Sequence, residues 1–250
     1  MPAGRTSGGM MSVLLQVQTD LLAENVYRIC LGEPDGFIAF NHFLIVDECP
    51  TLIHLGHQQT FDALWAAVRD IMDPSTLRYL AFSHYEADEC GALNQWLKMA
   101  PAAEALVGKI CASSLQDFAQ RSPRVLKDQE TVQLGVDQLR LLETPHFPHN
   151  WDACLFYLTE KRILFGSDLA TQKGFQPVFD PAAPEQAALA LQEAMTFMPW
   201  GPHLAAGVQK ICALDIEILA SMHGSALNRE QSQRFLASLL EANDRLGRMF

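Results

Sequence analysis

Apolar residues recur along this chain in short runs, with period two in some places and period 3.6 in others. Residues 25–31 (NVYRICL) are rich in β-formers, residues 32–36 (GEPDG) hold Pro, Asp and Gly in turn order, and residues 37–46 (FIAFNHFLIV) resume an apolar run. That pattern predicts a hairpin. A turn at 47–50 leads into a short strand at 51–55, and in 61–72 Phe61, Leu64, Trp65 and Val68 share one helical face. A buried strand is predicted at 77–82, and a helix at 91–99 with Leu93, Trp96 and Leu97 on one side. Short apolar pieces at 105–110 and 125–126 precede 131–142, where Val132, Leu134, Val136, Leu139 and Leu141 suggest edge and core strands. Two runs, 154–158 and 162–165, flank a charged turn at 159–161 and predict a second hairpin. Helices follow at 184–198 and 203–214, then a short strand at 216–220 and a closing helix at 229–250.

Strands and helices mixed in this order predict an α/β protein with two mixed sheets face to face and helices outside, a four-layer αββα sandwich. With no internal repeat and no long linker, the economical reading is one domain over residues 20–250, closed by the C-terminal helix and preceded by a flexible leader at 1–19. Loops at one edge of such a sandwich come from distant parts of the chain, so a site can be assembled there from several short motifs.

Composition narrows the function. The 250 residues are 49% hydrophobic and 19% charged, which excludes a disordered chain. No apolar stretch is long enough for a membrane-spanning helix. Eighteen Lys and Arg against 29 Asp and Glu give a net charge of −11, which repels polyphosphate and argues against a nucleic-acid partner. The first 11 residues hold no apolar signal-peptide core, and the six cysteines stand singly, as reduced thiols do, so a cytoplasmic protein is expected. Cys90 is the one thiol set beside the most polar cluster of the chain, where a thiolate could reach a metal.

That cluster is S-H-Y-E-A-D-E-C-G at 83–91, directly after a predicted buried strand. His84, Glu86 and Asp88 alternate, and in an extended segment such positions point the same way, whereas a helix would turn Glu86 from the other two. Three later places share the context of a strand end. His146 and His149 lie in T-P-H-F-P-H-N (144–150), and either imidazole could project inward; Asp168 ends I-L-F-G-S-D (163–168); His223 stands before Gly224. With His146 as the loop's imidazole, His84, Glu86, Asp88, His146, Asp168 and His223 supply three imidazoles and three carboxylates, too many for one tetrahedral zinc. The set suits two metal ions bridged by one carboxylate, because the shared anion offsets their repulsion. A carboxylate-rich, thiolate-free set favours iron, with manganese and zinc as alternatives. The other histidines read more plainly. His42 and His54 are expected to be hydrogen-bonded in the core, and His57 and His203 to face the site's entrance from opposite sides. Tyr85, Trp151 and Phe175 are expected to pack ordinarily.

These motifs resemble the metallo-β-lactamase superfamily, and within it the flavodiiron branch with the stand-alone oxygen-binding di-iron proteins, over about residues 20–228. Hydrolytic members carry H-x-H-x-D-H and the flavodiiron branch H-x-E-x-D-H; here the run is His84-Tyr85-Glu86-Ala87-Asp88-Glu89. Further matches are N-H-F-L-I-V-D (41–47), T-P-H-F-P (144–148), I-L-F-G-S-D (163–168) and S-M-H-G (221–224). The resemblance implies that His84, Glu86 and His146 hold one iron, Asp88 and His223 the other, and Asp168 bridges them. Glu89 stands where the family has histidine. It either coordinates through oxygen or turns to solvent and leaves a position open. The full reductases append a flavodoxin-like domain that brings FMN, whereas this sequence ends soon after His223, so no FMN bound in cis is expected.

The resemblance thus implies a non-haem di-iron protein that binds or reduces dioxygen or nitric oxide, as a sensor or as a reductase fed by a separate flavoprotein or rubredoxin-like donor. The alternative is a binuclear hydrolase acting on a phosphoester, thioester or lactam through a metal-bridged hydroxide. A degenerate scaffold is a third reading, which six retained ligand candidates disfavour. The sequence leaves a homodimer open.

Overall fold

The computed structural model describes residues 15–195 and 197–247. Seven strands form the first sheet in sequence order: β1 (Gln16–Ala23), β2 (Val26–Gly32), β3 (Phe40–Ile45), β4 (Thr51–Ile53), β5 (Tyr79–Ala81), β6 (Glu104–Val107) and β7 (Arg124–Val125). The second has six: β8 (Thr131–Gln133), β9 (Gln138–Glu143), β10 (Cys154–Leu158), β11 (Ile163–Phe165), β12 (Ile218–Ala220) and β13 (Leu227–Asn228), ordered β13-β12-β11-β10-β9-β8. The helices are α1 (Phe61–Arg69), α2 (Ala87–Cys90), α3 (Leu93–Met99), α4 (Lys109–Ser114), α5 (Pro184–Met195), α6 (Pro202–Cys212) and α7 (Arg229–Leu246).

Period-two alternation sorts the side chains into layers. On β3, Phe43 and Ile45 face the second sheet, while Leu44 points the other way with Phe61 and Leu64 of α1 and Trp96 of α3. On β10, Phe156 and Leu158 meet Phe43, while Leu155 and Tyr157 pack with Leu204 and Val208 of α6 and Phe235 and Leu239 of α7. Three apolar clusters therefore separate four layers, the αββα sandwich expected. Burying each such side chain contributes on the order of 1.5–3 kcal/mol. Local signals start the helices. Asp62 lies in the first turn of α1, Pro202 opens α6, and Asn228 and Gln231 form a capping box on α7.

The predicted hairpins at β2–β3 and β10–β11 are present as antiparallel pairs. Two elements depart from expectation. Residues 16–19, expected in the leader, belong to β1, a half-polar edge strand held by its register with β2 and by the ion pair of Asp20 with buried Arg28. Its exposed Leu21 and polar Gln18 and Asp20 give no apolar run to read. Residues 1–14 of that expected leader lie outside the described residues. Helix α4 replaces part of the apolar piece expected at 105–110. The closing helix is described to Leu246, and residues 248–250 lie outside the described residues. Among the described residues no helix is long and apolar enough to cross a membrane.

Strands β9, β11 and β12 run the same way, since each of β9 and β11 is antiparallel to β10 and β11 is parallel to β12. Their C-terminal ends therefore open on one edge. The end of β5 joins them there through the Cys154 N–H, which donates to the Ser83 carbonyl across the two sheets at 2.9 Å.

Candidate metal centre

Four loops at that edge carry the polar residues. After β5 the chain bends at 83–85, where the Glu86 N–H donates to His84 O, and Glu86 itself is extended, with a φ of −144° and a ψ of 158°, just before α2. His84 and Glu86 therefore reach the centre from a bent loop rather than by the alternation of an extended strand, and Asp88 reaches it from the first turn of a short helix. His84 is fully buried, and its Nε2 lies 2.8 Å from Glu86 Oε2 and 3.6 Å from Asp168 Oδ2.

The loop after β9 decides between its two histidines. Phe147 is buried and lies against Gly207 of α6, its N–H donates to Thr144 O, and Thr144 Oγ1 donates to Phe147 O. Anchored so, the loop sends His149 inward, with Nε2 2.6 Å from Asp168 Oδ2 and 3.5 Å from Glu86 Oε2. His146, the residue expected at the centre, instead lies against His203, the rings tilted with centroids 4.6 Å apart. A three-residue spacing in a Pro-punctuated loop carries no information about which ring turns in, and the packing of Phe147 supplies it.

One atom each of His84, Glu86, His149 and Asp168 lies within 4.8 Å of the others, a cluster capable of holding a metal ion. Asp168 has a second face. Its Oδ1 lies 3.1 Å from His223 Nε2, which is in turn 3.6 Å from Asp88 Oδ2. His223 Nδ1 donates to Ala39 O at 2.9 Å, which aims Nε2 at the carboxylates. The loop bearing it is fixed by Asn41 Nδ2, donating to Ser221 O and Gly224 O, and by Arg28, which donates to Gly224 O. Gly224 has a φ of +119°, and a Cβ there would lie 2.7 Å from Gln172, so the loop requires glycine.

Electrostatics follow from this crowding. Burial works against a protonated His84, but Glu86, Glu89 and Asp168 outweigh it and push the imidazole up to about 10. Burial likewise opposes charge on His149 and His223, and Asp168 raises both. Asp168, also penalised by burial, is held well below the usual carboxylate range by its two imidazole partners. Asp88 moves up, through burial and then through its neighbours Asp168 and Glu89. Protons thus stand in the cluster where a cation would balance the carboxylates.

Glu89, the acidic residue in the position where histidine was expected, lies inside the protein. It is 0% exposed, so it has not turned to solvent. His54 Nδ1 donates to its Oε2 at 2.6 Å, Ser83 N–H to the same oxygen at 3.0 Å, and Ser167 Oγ to Oε1 at 2.6 Å. Cys90 is buried with its thiol pushed up to about 12, first by burial, and its Sγ donates to Glu86 O, which removes it from the donor set. His42 is a core residue donating from Nδ1 to His54 O. His57 does face the entrance. A cavity of about 450 Å³ opens over the donors, walled by Phe40, His57, Thr171, Met195 and Phe197.

A family model described as the ODP family beta lactamase matches residues 38–224. Among curated proteins the chain is 25% identical over 201 residues to flavo-diiron protein FprA2 of Clostridium acetobutylicum, covering 77% of this chain and 50% of that protein. It is 27% identical over 205 residues to a nitric oxide reductase of Moorella thermoacetica, covering 74% of this chain and 48% of that one. The chain therefore spans about half the length of these curated relatives. In fold it is similar to a flavoprotein of Thermotoga maritima, with a TM-score of 0.81 and 20% identity over 92% of this chain and 62% of that one. It is also similar to rubredoxin oxygen:oxidoreductase of Desulfovibrio gigas, with a TM-score of 0.79 and 17% identity over 91% and 62% of the two chains. A match that takes in all four ligand-bearing loops, on a sandwich whose edge gathers their donors, makes this chain a member of the flavodiiron (ODP) family of the metallo-β-lactamase fold.

Proposed function

We propose that the chain holds two iron ions at this edge and binds or reduces dioxygen or nitric oxide there. His84, Glu86, His149 and Asp168 would hold one ion, and Asp88, Asp168 and His223 the other. The observation that carries the reading is Asp168, which turns Oδ2 to His149 and Oδ1 to His223 and so offers one oxygen to each side. Held by these residues, two ferrous ions would supply the electrons for reducing a small gas. The nitric oxide reductase and oxygen:oxidoreductase named among the relatives support that class of ligand, and a separate flavoprotein or rubredoxin-like donor would sustain turnover.

The chain's own residues define what enters. Phe40, Met195 and Phe197 make part of the cavity wall apolar, which suits an uncharged diatomic molecule and limits water near the donors. Among the described residues lining this cavity there is no lysine or arginine to anchor an anionic ester or lactam, which favours an oxidoreductase over a hydrolase. The cysteines are free thiols, suited to the reducing cytoplasm. Protein purified anaerobically should carry close to two irons per chain and change its absorption spectrum on exposure to oxygen. A single tightly held zinc, with no response to oxygen or nitric oxide, would reverse the assignment in favour of hydrolysis.

A further inference from the structure

We propose that Glu89 is a positioning residue and not a metal ligand: its buried carboxylate ties the loops after β5 and β11 to His54 and leaves the Asp88/Asp168/His223 side one protein donor short. The inference rests on the two-ion reading above and concerns how the two sides differ.

The geometry occupies most of the carboxylate. Oε2 accepts from His54 Nδ1 and from the Ser83 N–H, and Oε1 accepts from Ser167 Oγ, so three of its roughly four acceptor sites are taken by protein donors. Glu89 and His54 are each no more than 1% exposed, and His54 Nε2 has no hydrogen-bond partner, so the polar bonding of that ring is given to Glu89. The residues it grips are the immediate neighbours of two donors, since Ser83 precedes His84 and Ser167 precedes Asp168. Behind His84, Nδ1 lies 3.2 Å from Ser83 Oγ, 3.5 Å from Ser167 Oγ and 3.7 Å from Glu89 Oε1. Ser167 Oγ donates to Glu89, so toward His84 it can only accept, and a proton on His84 Nδ1 would complete the relay and leave Nε2 for a cation. A carboxylate acting through such a relay orients a metal-bound imidazole without touching the metal.

Pulling Glu89 inward also changes the count. His84, Glu86, His149 and Asp168 give four donors on one side, whereas Asp88, Asp168 and His223 give three on the other. Donors of both sides line the cavity walled by Phe40 and His57, and on the Asp88/Asp168/His223 side an external ligand would meet the fewer protein donors.

The test titrates metal-free protein with Co(II) as the probe, reading ion stoichiometry and visible absorption, for wild type, Glu89→Leu, Glu89→Gln and Ser167→Ala. The expected result is two ions in every variant, with affinity reduced about 10–100-fold in Glu89→Leu and partly recovered in Glu89→Gln, which keeps one acceptor oxygen. The histidine ¹H–¹⁵N spectrum should show the Nδ1–H form of His84 lost in Glu89→Leu, which a purely structural role would not require. Loss of one ion with the other bound at wild-type affinity would make Glu89 a ligand and overturn the proposal. Thermal unfolding of the metal-free proteins supplies an independent arm, since the Ser167→Ala and Glu89→Gln effects should be non-additive in the double variant. Additive effects would overturn the relay. If wild type binds no Co(II), the two-ion reading falls while that coupling still judges the network; if Glu89→Leu does not fold, Ser167→Ala must show the weakened Co(II) binding by itself, and unchanged binding would refute the proposal.

Discussion

His149 meets Asp168 at 2.6 Å, Nε2 to Oδ2, and this contact gives the loop after β9 its single imidazole at the centre. His146, three residues earlier, lies against His203 instead. Replacing His149 with Ala should remove one ion or weaken it strongly, and His146→Ala should leave metal content unchanged. Metal analysis of the two purified variants distinguishes them, and the opposite pattern would restore His146 to the centre.

Asp168 meets His149 through Oδ2 and His223 through Oδ1, so in the two-ion reading its removal should cost more than that of any other donor. Asp168→Ala is expected to lose both ions, where His223→Ala should lose only one. Parallel metal analysis reads the difference, and an Asp168→Ala protein with full metal content would take that residue out of the site.

The crowded imidazoles predict a pH dependence of metal uptake. His84 is raised from 6.5 to about 10, and His149 and His223 also move up. In metal-free protein the stability from these protonated pairs is fully present below about pH 6.5 and fades as pH rises through the folded values. A bound cation must displace those protons, so affinity should increase with pH across the same window and binding should release protons. Calorimetry in buffers of different ionisation enthalpy counts them. Affinity that stays flat from about pH 6.5 to 9 would mean that the imidazoles are neutral before metal enters.

Gly224 sets the backbone that presents His223. At a φ of +119°, with Gln172 2.7 Å from a would-be Cβ, Gly224→Ala should destabilise the fold by about 1–3 kcal/mol and weaken the ion on the His223 side. Thermal unfolding and metal titration together check this, and a variant with wild-type melting and loading would show that the loop tolerates a side chain.

Elements with strong periodicity were legible before the fold was seen. The alternation of Phe43, Leu44 and Ile45 and the one-sided face of α1 each need only a local pattern. Strand β1 was not legible, because its half-polar run is held in place by pairing with β2 and by Asp20 meeting Arg28. The alternation of His84, Glu86 and Asp88 points to a strand end or loop, yet α2 begins at Ala87, since four residues are too few to show a helical period.

The residue types at the strand ends, and their order along the chain, already imply nitrogen and oxygen donors without thiolate, because the chemistry of a side chain is carried by its identity. Which of those donors converge is a different matter. The inward turn of His149 depends on Phe147 lying against α6, and the withdrawal of Glu89 depends on His54 waiting behind it from the next loop. Both are contacts between segments far apart in sequence, where only the packing of one element on another can set the direction of a side chain.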